Sequence, residues 1–298
     1  MVPKIVHTSV LEMAYLEYGR PEGLPVILLH GWPSDVGDYA EVASSLGHCG
    51  YRVLVPWLRG FGPTRFLTTK TPRSGQQAAL GVDIRDLMDA LAIPSAVLVG
   101  YDWGGRAACV VAALWPARVR ALVAITGYGI QDIVAAHHPG PAEQEWRYWY
   151  QWYFHTPRGR EGLQRNRREI ARLLWQLWSP NWRFDDATFA ATAESFDNPD
   201  FVAVTIHSYC HRYGNAPGDP AYDDIEAALA KHPPIKVPTI VLHGEADGVG
   251  PPASSVLRDR MFTRLVERIH IPQAGHFLSR ENPRDVAAAV VRLAGSSV

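Results

Sequence analysis

Residues 100–105 read Gly-Tyr-Asp-Trp-Gly-Gly, between the apolar run Ala96–Tyr101 and a stretch of helical character. Small residues on either side of Asp102 allow a turn sharp enough to lift its side chain clear of the backbone, and a helix N-terminus beyond it favours negative charge there. A carboxylate so placed can open a strained ring or displace a halide with no base to activate it. An aspartate after a strand is also an ordinary helix N-cap, so Asp102 needs partners before it means chemistry. Two later segments supply them. Leu242-His243-Gly244-Glu245-Ala246-Asp247 sets an acid just past one apolar run, and Ala274-Gly275-His276-Phe277 sets a histidine just past the next. Singly, such residues are turn formers or loop histidines. Jointly they give a nucleophile, an acid and a base. His276, oriented by the acid, would activate water against an ester formed on Asp102. Asp247 is preferred as that acid over Glu245, which lies earlier in the loop. A fourth segment, His30-Gly31-Trp32-Pro33, follows the run PVILLH. Alone it fits a plain turn, although Pro33 fixes φ and admits a cis peptide.

The positioning elements are legible around these residues. Nearly continuous apolar runs at Pro25–His30, Arg52–Pro56, Ala96–Tyr101, Ala121–Thr126, Pro238–His243 and Val266–Ile271 predict strands buried on both faces of a parallel sheet. Helices are predicted over roughly 76–92, 104–115, 252–262 and 283–294. Leu11–Tyr18 alternates with period two and predicts an edge hairpin. Strand–helix alternation predicts an α/β class with a mostly parallel central sheet flanked by helices. Candidate site residues then fall at strand C-terminal ends, where open α/β sheets bind ligands. The alternation stops near Gly127 and resumes near Lys236. Six of the ten tryptophans lie between, at 146, 149, 152, 175, 178 and 182. Residues 128–232 therefore read as a helical insertion into a core formed by 1–127 and 233–298.

The chain has 298 residues, 47% hydrophobic and 20% charged, with a net charge of −1. These are globular values. A near-neutral chain has no long-range field to gather nucleic acid or an anionic membrane, and the basic run 158–169 reads as a solvated helix face. No apolar run reaches the 18 residues a membrane helix needs, and no signal peptide is evident. Three scattered cysteines form neither a disulfide framework nor a zinc pattern, which makes a reducing cytoplasm the default compartment.

Taken together, HGWP, GYDWGG, the GEAD loop and AGHF resemble the α/β-hydrolase superfamily, whose chain order is nucleophile, acid, histidine. An aspartate nucleophile resembles its epoxide hydrolase and dehalogenase branch. The resemblance implies the α/β-hydrolase fold, with 128–232 as a helical cap. It implies an oxyanion hole from the backbone amides of Trp32 and Trp103. Haloalkane dehalogenases carry Asn after HG as a halide ligand, and here that position is Trp32. Epoxide hydrolases place two cap tyrosines over the nucleophile. The stretch Tyr150-Gln151-Trp152-Tyr153-Phe154 is similar to the family's segment around the first, mapping it to Tyr150. His207–Tyr213 offers the second as Tyr209, with Tyr213 as fallback. Arg106 is similar to an arginine of fluoroacetate-type dehalogenases, but their second arginine, directly after the nucleophile, is Trp103 here. Arg106 is then expected to form a salt bridge along its helix, with haloacid dehalogenation as the alternative activity and a non-catalytic binding protein as a third reading.

The expected reaction is opening of a small apolar epoxide to a vicinal diol, with water as co-substrate and with no metal or organic cofactor. Asp102 attacks, Tyr150 and Tyr209 stabilise the leaving oxygen, and His276 with Asp247 drives ester hydrolysis. Beyond these, His30, Pro33, Arg106, Trp149, Tyr153 and Phe277 are expected to line the pocket. The sequence leaves a homodimer open as the assembly.

Overall fold

A computed structural model describes residues 1–295. Its strands are β1 (Lys4–His7), β2 (Leu11–Gly19), β3 (Pro25–Leu29), β4 (Arg52–Pro56), β5 (Arg65–Phe66), β6 (Ala96–Gly100), β7 (Val119–Ile125), β8 (Thr239–Gly244) and β9 (Leu265–Ile271). They form one sheet in the order β1-β2-β4-β3-β6-β7-β8-β9, with β5 beside β2. From β4 to β9 neighbouring strands are parallel, and β1 and β2 are antiparallel. The helices are α1 (Ala40–His48), α2 (Gln77–Ala90), α3 (Asp102–Leu114), α4 (Ala142–Arg147), α5 (Trp149–Phe154), α6 (Pro157–Trp178), α7 (Asp186–Ala193), α8 (Phe201–Arg212), α9 (Asp223–Leu229), α10 (Pro252–Val256), α11 (Leu278–Glu281) and α12 (Pro283–Gly295). This is the α/β-hydrolase arrangement that the motifs imply.

Leu11–Tyr18 forms the expected edge hairpin: β2 pairs antiparallel with β1, a four-residue and largely exposed strand that takes the outermost place, and β4 lies on the other side of β2. Two elements differ from expectation. The predicted helix 252–262 stops at Val256 and resumes only as a 3-10 turn at Asp259–Met261. Helix α1 went unanticipated because only Val42, Ala43 and Leu46 carry its buried face.

Register positions the site. Leu29 pairs with Gly100, so β3 and β6 end side by side and the 30–33 loop meets the 100–105 turn. Glycine is required there by close approach. A Cβ on Gly104 would stand 2.1 Å from the Leu29 carbonyl oxygen, and one on Gly31 would stand 2.7 Å from the Asp102 Cβ. Asp102 itself has φ of 47°, the left-handed region that a side chain enters only under constraint.

Between β7 and β8 the chain carries only helices, α4–α9 and short 3-10 turns. Indole groups stitch this layer to the core. Trp175 Nε1 donates to the Pro33 carbonyl at 2.8 Å, Trp32 Nε1 to Thr205 Oγ1 at 3.0 Å, and Trp57 Nε1 to Ser195 Oγ at 3.1 Å. The basic face of α6 is neutralised locally, with Arg165 on Glu161 and both Arg167 and Arg168 on Asp197. No helix among the described residues is long and apolar enough to cross a membrane.

Gly104→Ala tests whether this close approach governs the turn. Forcing a methyl against a backbone carbonyl costs on the order of 1–3 kcal/mol. The expected outcome is a clear fall in thermal midpoint together with lost activity; a variant as stable as the wild type shows that the turn tolerates a Cβ.

Candidate active site

The turn after β6 presents the Asp102 carboxylate to the loop after β3. The Trp32 backbone N–H donates to Asp102 Oδ1 at 2.8 Å. His30 holds that loop from below. Its Nε2 accepts from the Leu58 amide at 3.1 Å, and its Nδ1–H donates to the Gly31 carbonyl at 3.0 Å. Burial pushes the His30 pKa down, in keeping with a neutral ring that must accept at Nε2. The Trp32–Pro33 peptide is cis. The Trp103 amide belongs to the first turn of α3, where a helix has no internal acceptor for its N–H groups.

Asp247 follows β8 and His276 follows β9. His276 Nδ1 lies 2.9 Å from Asp247 Oδ2, and Asp247 Oδ1 accepts the Val249 and Gly250 amides at 2.7 and 3.2 Å. The acid is therefore an acceptor on both oxygens, and His276 is held with Nδ1 as donor. Its Nε2 is buried and has no partner among the described residues. Burial disfavours the His276 cation, but Asp247, Asp102 and Glu281 outweigh it and raise the pKa above the usual 6.5. Burial likewise opposes the Asp247 charge, and His276 outweighs it, holding the carboxyl below its ordinary range.

Two phenols descend from the helical layer, Tyr150 from α5 and Tyr209 from α8. Tyr150 stacks on Trp32 at 5.7 Å between ring centres, and Tyr209 meets Tyr150 edge-on at 5.4 Å. Burial raises both pKa values, and the Asp102 charge raises them further, so both phenols keep their protons at neutral pH. Tyr150 Oη accepts from Gln151 Nε2 at 2.8 Å, which leaves its proton free to donate. Tyr209 Oη is buried and faces the Trp103 indole N–H, which can only donate to it, so its own proton is not spent. The fallback, Tyr213, is committed elsewhere, since its hydroxyl donates to Gln151 Oε1 at 2.8 Å.

A cavity of about 410 Å³ joins Asp102, His276, Asp247, Tyr150 and Arg106. Of the expected lining, only Arg106 is at its wall. His30 faces inward beneath the loop, and Pro33 lies under Trp175. Phe277 is packed among Trp175, Trp178 and Tyr101. Tyr153 stands against Gly162, and Trp149 lines a different pocket. Pro33, Trp149 and Phe277 are each adjacent in sequence to a site residue, but successive side chains on a helix or loop diverge in direction. Arg106 also departs from expectation: it forms no ion pair among the described residues, and its Nε and Nη1 are buried without acceptors. Burial and the nearby Arg212 cation pull its pKa down to about 10, and it stays charged. The sequence reading missed Tyr148, Gln151 and Arg212 at this cavity. For Arg212 the available signal was its place three residues after Tyr209, one helical turn on.

Residues 25–283 match the family model for the alpha/beta hydrolase fold, and the chain belongs to that family. A Klebsiella pneumoniae crystal structure provisionally named an epoxide hydrolase is 45% identical, with a TM-score of 0.93 over 98% of this chain and 96% of that one. An epoxide hydrolase 2 from Siraitia grosvenorii is 35% identical over 124 residues, which span 40% of this chain and 38% of that relative. A haloalkane dehalogenase from Psychrobacter cryohalolentis is 26% identical over 289 residues, 95% of this chain and 88% of the relative.

The His276–Asp247 pair makes a testable prediction. The raised His276 pKa means the pair's stabilisation is lost as pH climbs through the folded-state value above 6.5, and the lowered Asp247 pKa means it is also lost as pH falls through the acid range. His276 is expected to titrate above 6.5 by NMR, and Asp247→Asn to lower that midpoint. An unchanged midpoint in Asp247→Asn disproves the coupling.

Proposed function

We propose that the chain is an epoxide hydrolase acting through an ester of Asp102. The observation that carries this reading is the pair of buried phenols, Tyr150 and Tyr209, with protons to give above a carboxylate. An epoxide leaves as an alkoxide, which needs a donor, and a halide does not.

Asp102 Oδ1 is held by the Trp32 amide, so Oδ2 attacks the epoxide carbon. The ring C–O bond breaks, and its electrons go to the oxygen, which takes a tyrosine proton. The ester carbonyl oxygen is then Oδ1, already in its hydrogen bond. His276 Nε2 removes a proton from water, and the hydroxide adds to the ester carbonyl. Charge gathers on Oδ1 against the Trp32 amide, with the Trp103 amide as second donor. Collapse expels the substrate oxygen, which takes the proton from His276. The regenerated carboxyl of Asp102 returns its proton to the tyrosinate. The sum is epoxide plus water to vicinal diol. In this reading the 128–232 layer is a cap that supplies both phenols and keeps bulk water from the ester.

A second reading, halide displacement, has its own observation. The Trp103 indole N–H is buried beside Asp102 with only a weak contact to Tyr209 Oη, and a departing halide suits it. Styrene oxide and a haloacetate, assayed side by side for diol and free halide, separate the two.

Two variants test the mechanism. His276→Gln is expected to stall after the first step, and intact-protein mass spectrometry should show the substrate's mass added to the chain. A dead variant without adduct contradicts the division of labour. Tyr150→Phe with Tyr209→Phe removes both donors and keeps the rings. Loss of one oxyanion donor costs ~100-fold in rate, so diol formation should nearly vanish. Near wild-type opening of styrene oxide by this variant disproves the assignment.

A further inference from the structure

The aromatic cap segment predicts an apolar substrate, but the cavity wall is cationic next to the nucleophile. Many of its rings pack on one another: Trp32, Tyr150, Phe154, Trp178 and Tyr209 form a mutually packed cluster. Besides Tyr148, Tyr150 and Tyr213, the cavity is faced by two guanidinium groups from opposite layers. Arg106 lies one turn after Asp102 on α3, and Arg212 one turn after Tyr209 on α8.

Neither arginine has a carboxylate partner among the described residues. Arg106 is 7% exposed, and its Nε and Nη1 are buried with no acceptor. Arg212 spends Nη1 on Gln151 Oε1 at 3.0 Å and lays its guanidinium over the Tyr209 ring, leaving Nε and Nη2 buried and unpaired. Buried charge is normally paired, because an unpaired one is costly. The acids at the cavity mouth are engaged elsewhere, Asp132 with His232 at 3.1 Å and Glu145 with the Gly140 amide at 2.6 Å. Asp102 offsets one cation, and it loses its charge when it becomes an ester. At least one positive charge is therefore unmatched throughout the cycle.

We infer that this cavity binds a monoanion, and that the substrate is an epoxide bearing a carboxylate, held between Arg106 and Arg212 beside the reacting ring. The substrate class rests on the epoxide reading, whereas the anion site does not. Four unpaired N–H donors on two planar forks suit the two oxygens of a carboxylate. The arrangement also solves an electrostatic problem. A substrate carboxylate would repel the attacking Asp102, and the two cations neutralise it as the ring approaches.

The test measures binding apart from turnover. Calorimetry compares 3-phenylpropanoate with its neutral amide on the wild type at fixed ionic strength. The acid is expected to bind at least ~10-fold tighter, and Arg212→Gln to remove most of that preference. Arg106→Met should weaken the acid selectively while holding or raising the thermal midpoint, because an unpaired buried charge is replaced by an apolar chain. Equal binding of acid and amide by the wild type, or equal weakening of both in the variants, overturns the anion site. A second arm compares kcat/KM for 3-phenylglycidate and styrene oxide, with preference for the glycidate expected. Selective acid binding without opening of either epoxide overturns the epoxide reading and keeps the anion site. Opening of styrene oxide without acid selectivity does the reverse.

Discussion

The six-residue turn after β6 sets the geometry on which the rest of the site depends. Gly104 slides under the Leu29 carbonyl with no room for a methyl, and two residues earlier in the same turn Asp102 stands at a φ of 47°. Left-handed backbone is costly for a residue with a side chain, so the surrounding strands must over-determine it. They do so through register. With β3 and β6 ending level, the Trp32 amide arrives 2.8 Å from the Asp102 carboxylate, and that carboxylate is fixed before any ligand enters. Asp247 and His276 then come from the C-terminal ends of β8 and β9, beyond β7 in the same parallel sheet.

That explains what the sequence could reveal. Asp102, Asp247 and His276 sit at short, fixed offsets from strands whose apolar runs are conspicuous, so their spatial meeting follows from topology. Tyr150 and Tyr209 were accessible only through resemblance, since nothing in their local pattern separates them from a dozen packing aromatics. Gln151 was illegible, and Arg212 offered only its spacing from Tyr209. Their orientation depends on which face α8 and α5 turn toward the sheet, and tertiary packing sets that rotation. The same physics misplaced Trp149 and Phe277, which stand next to site residues in sequence but point away from them.

Gln151 illustrates how much hangs on one such residue. Its amide nitrogen donates to Tyr150, and its oxygen accepts from both Arg212 and Tyr213. One side chain thus fixes which phenol is left with a free proton and which is spent. It also sets the position of a guanidinium, linking the Tyr150 phenol to the cationic wall by a single pair of amide atoms.

The indole stitches between the layers carry a consequence for how such a molecule can diversify. Trp175 grips the Pro33 carbonyl and Trp32 reaches up to Thr205, so the loop that supplies the Trp32 amide is sewn to the helical layer on both sides. The two layers are not interchangeable modules. Grafting a foreign insertion would unpick the seam that sets the Asp102 hydrogen bond. A change in the helical layer is therefore also a change at the sheet's carboxylate.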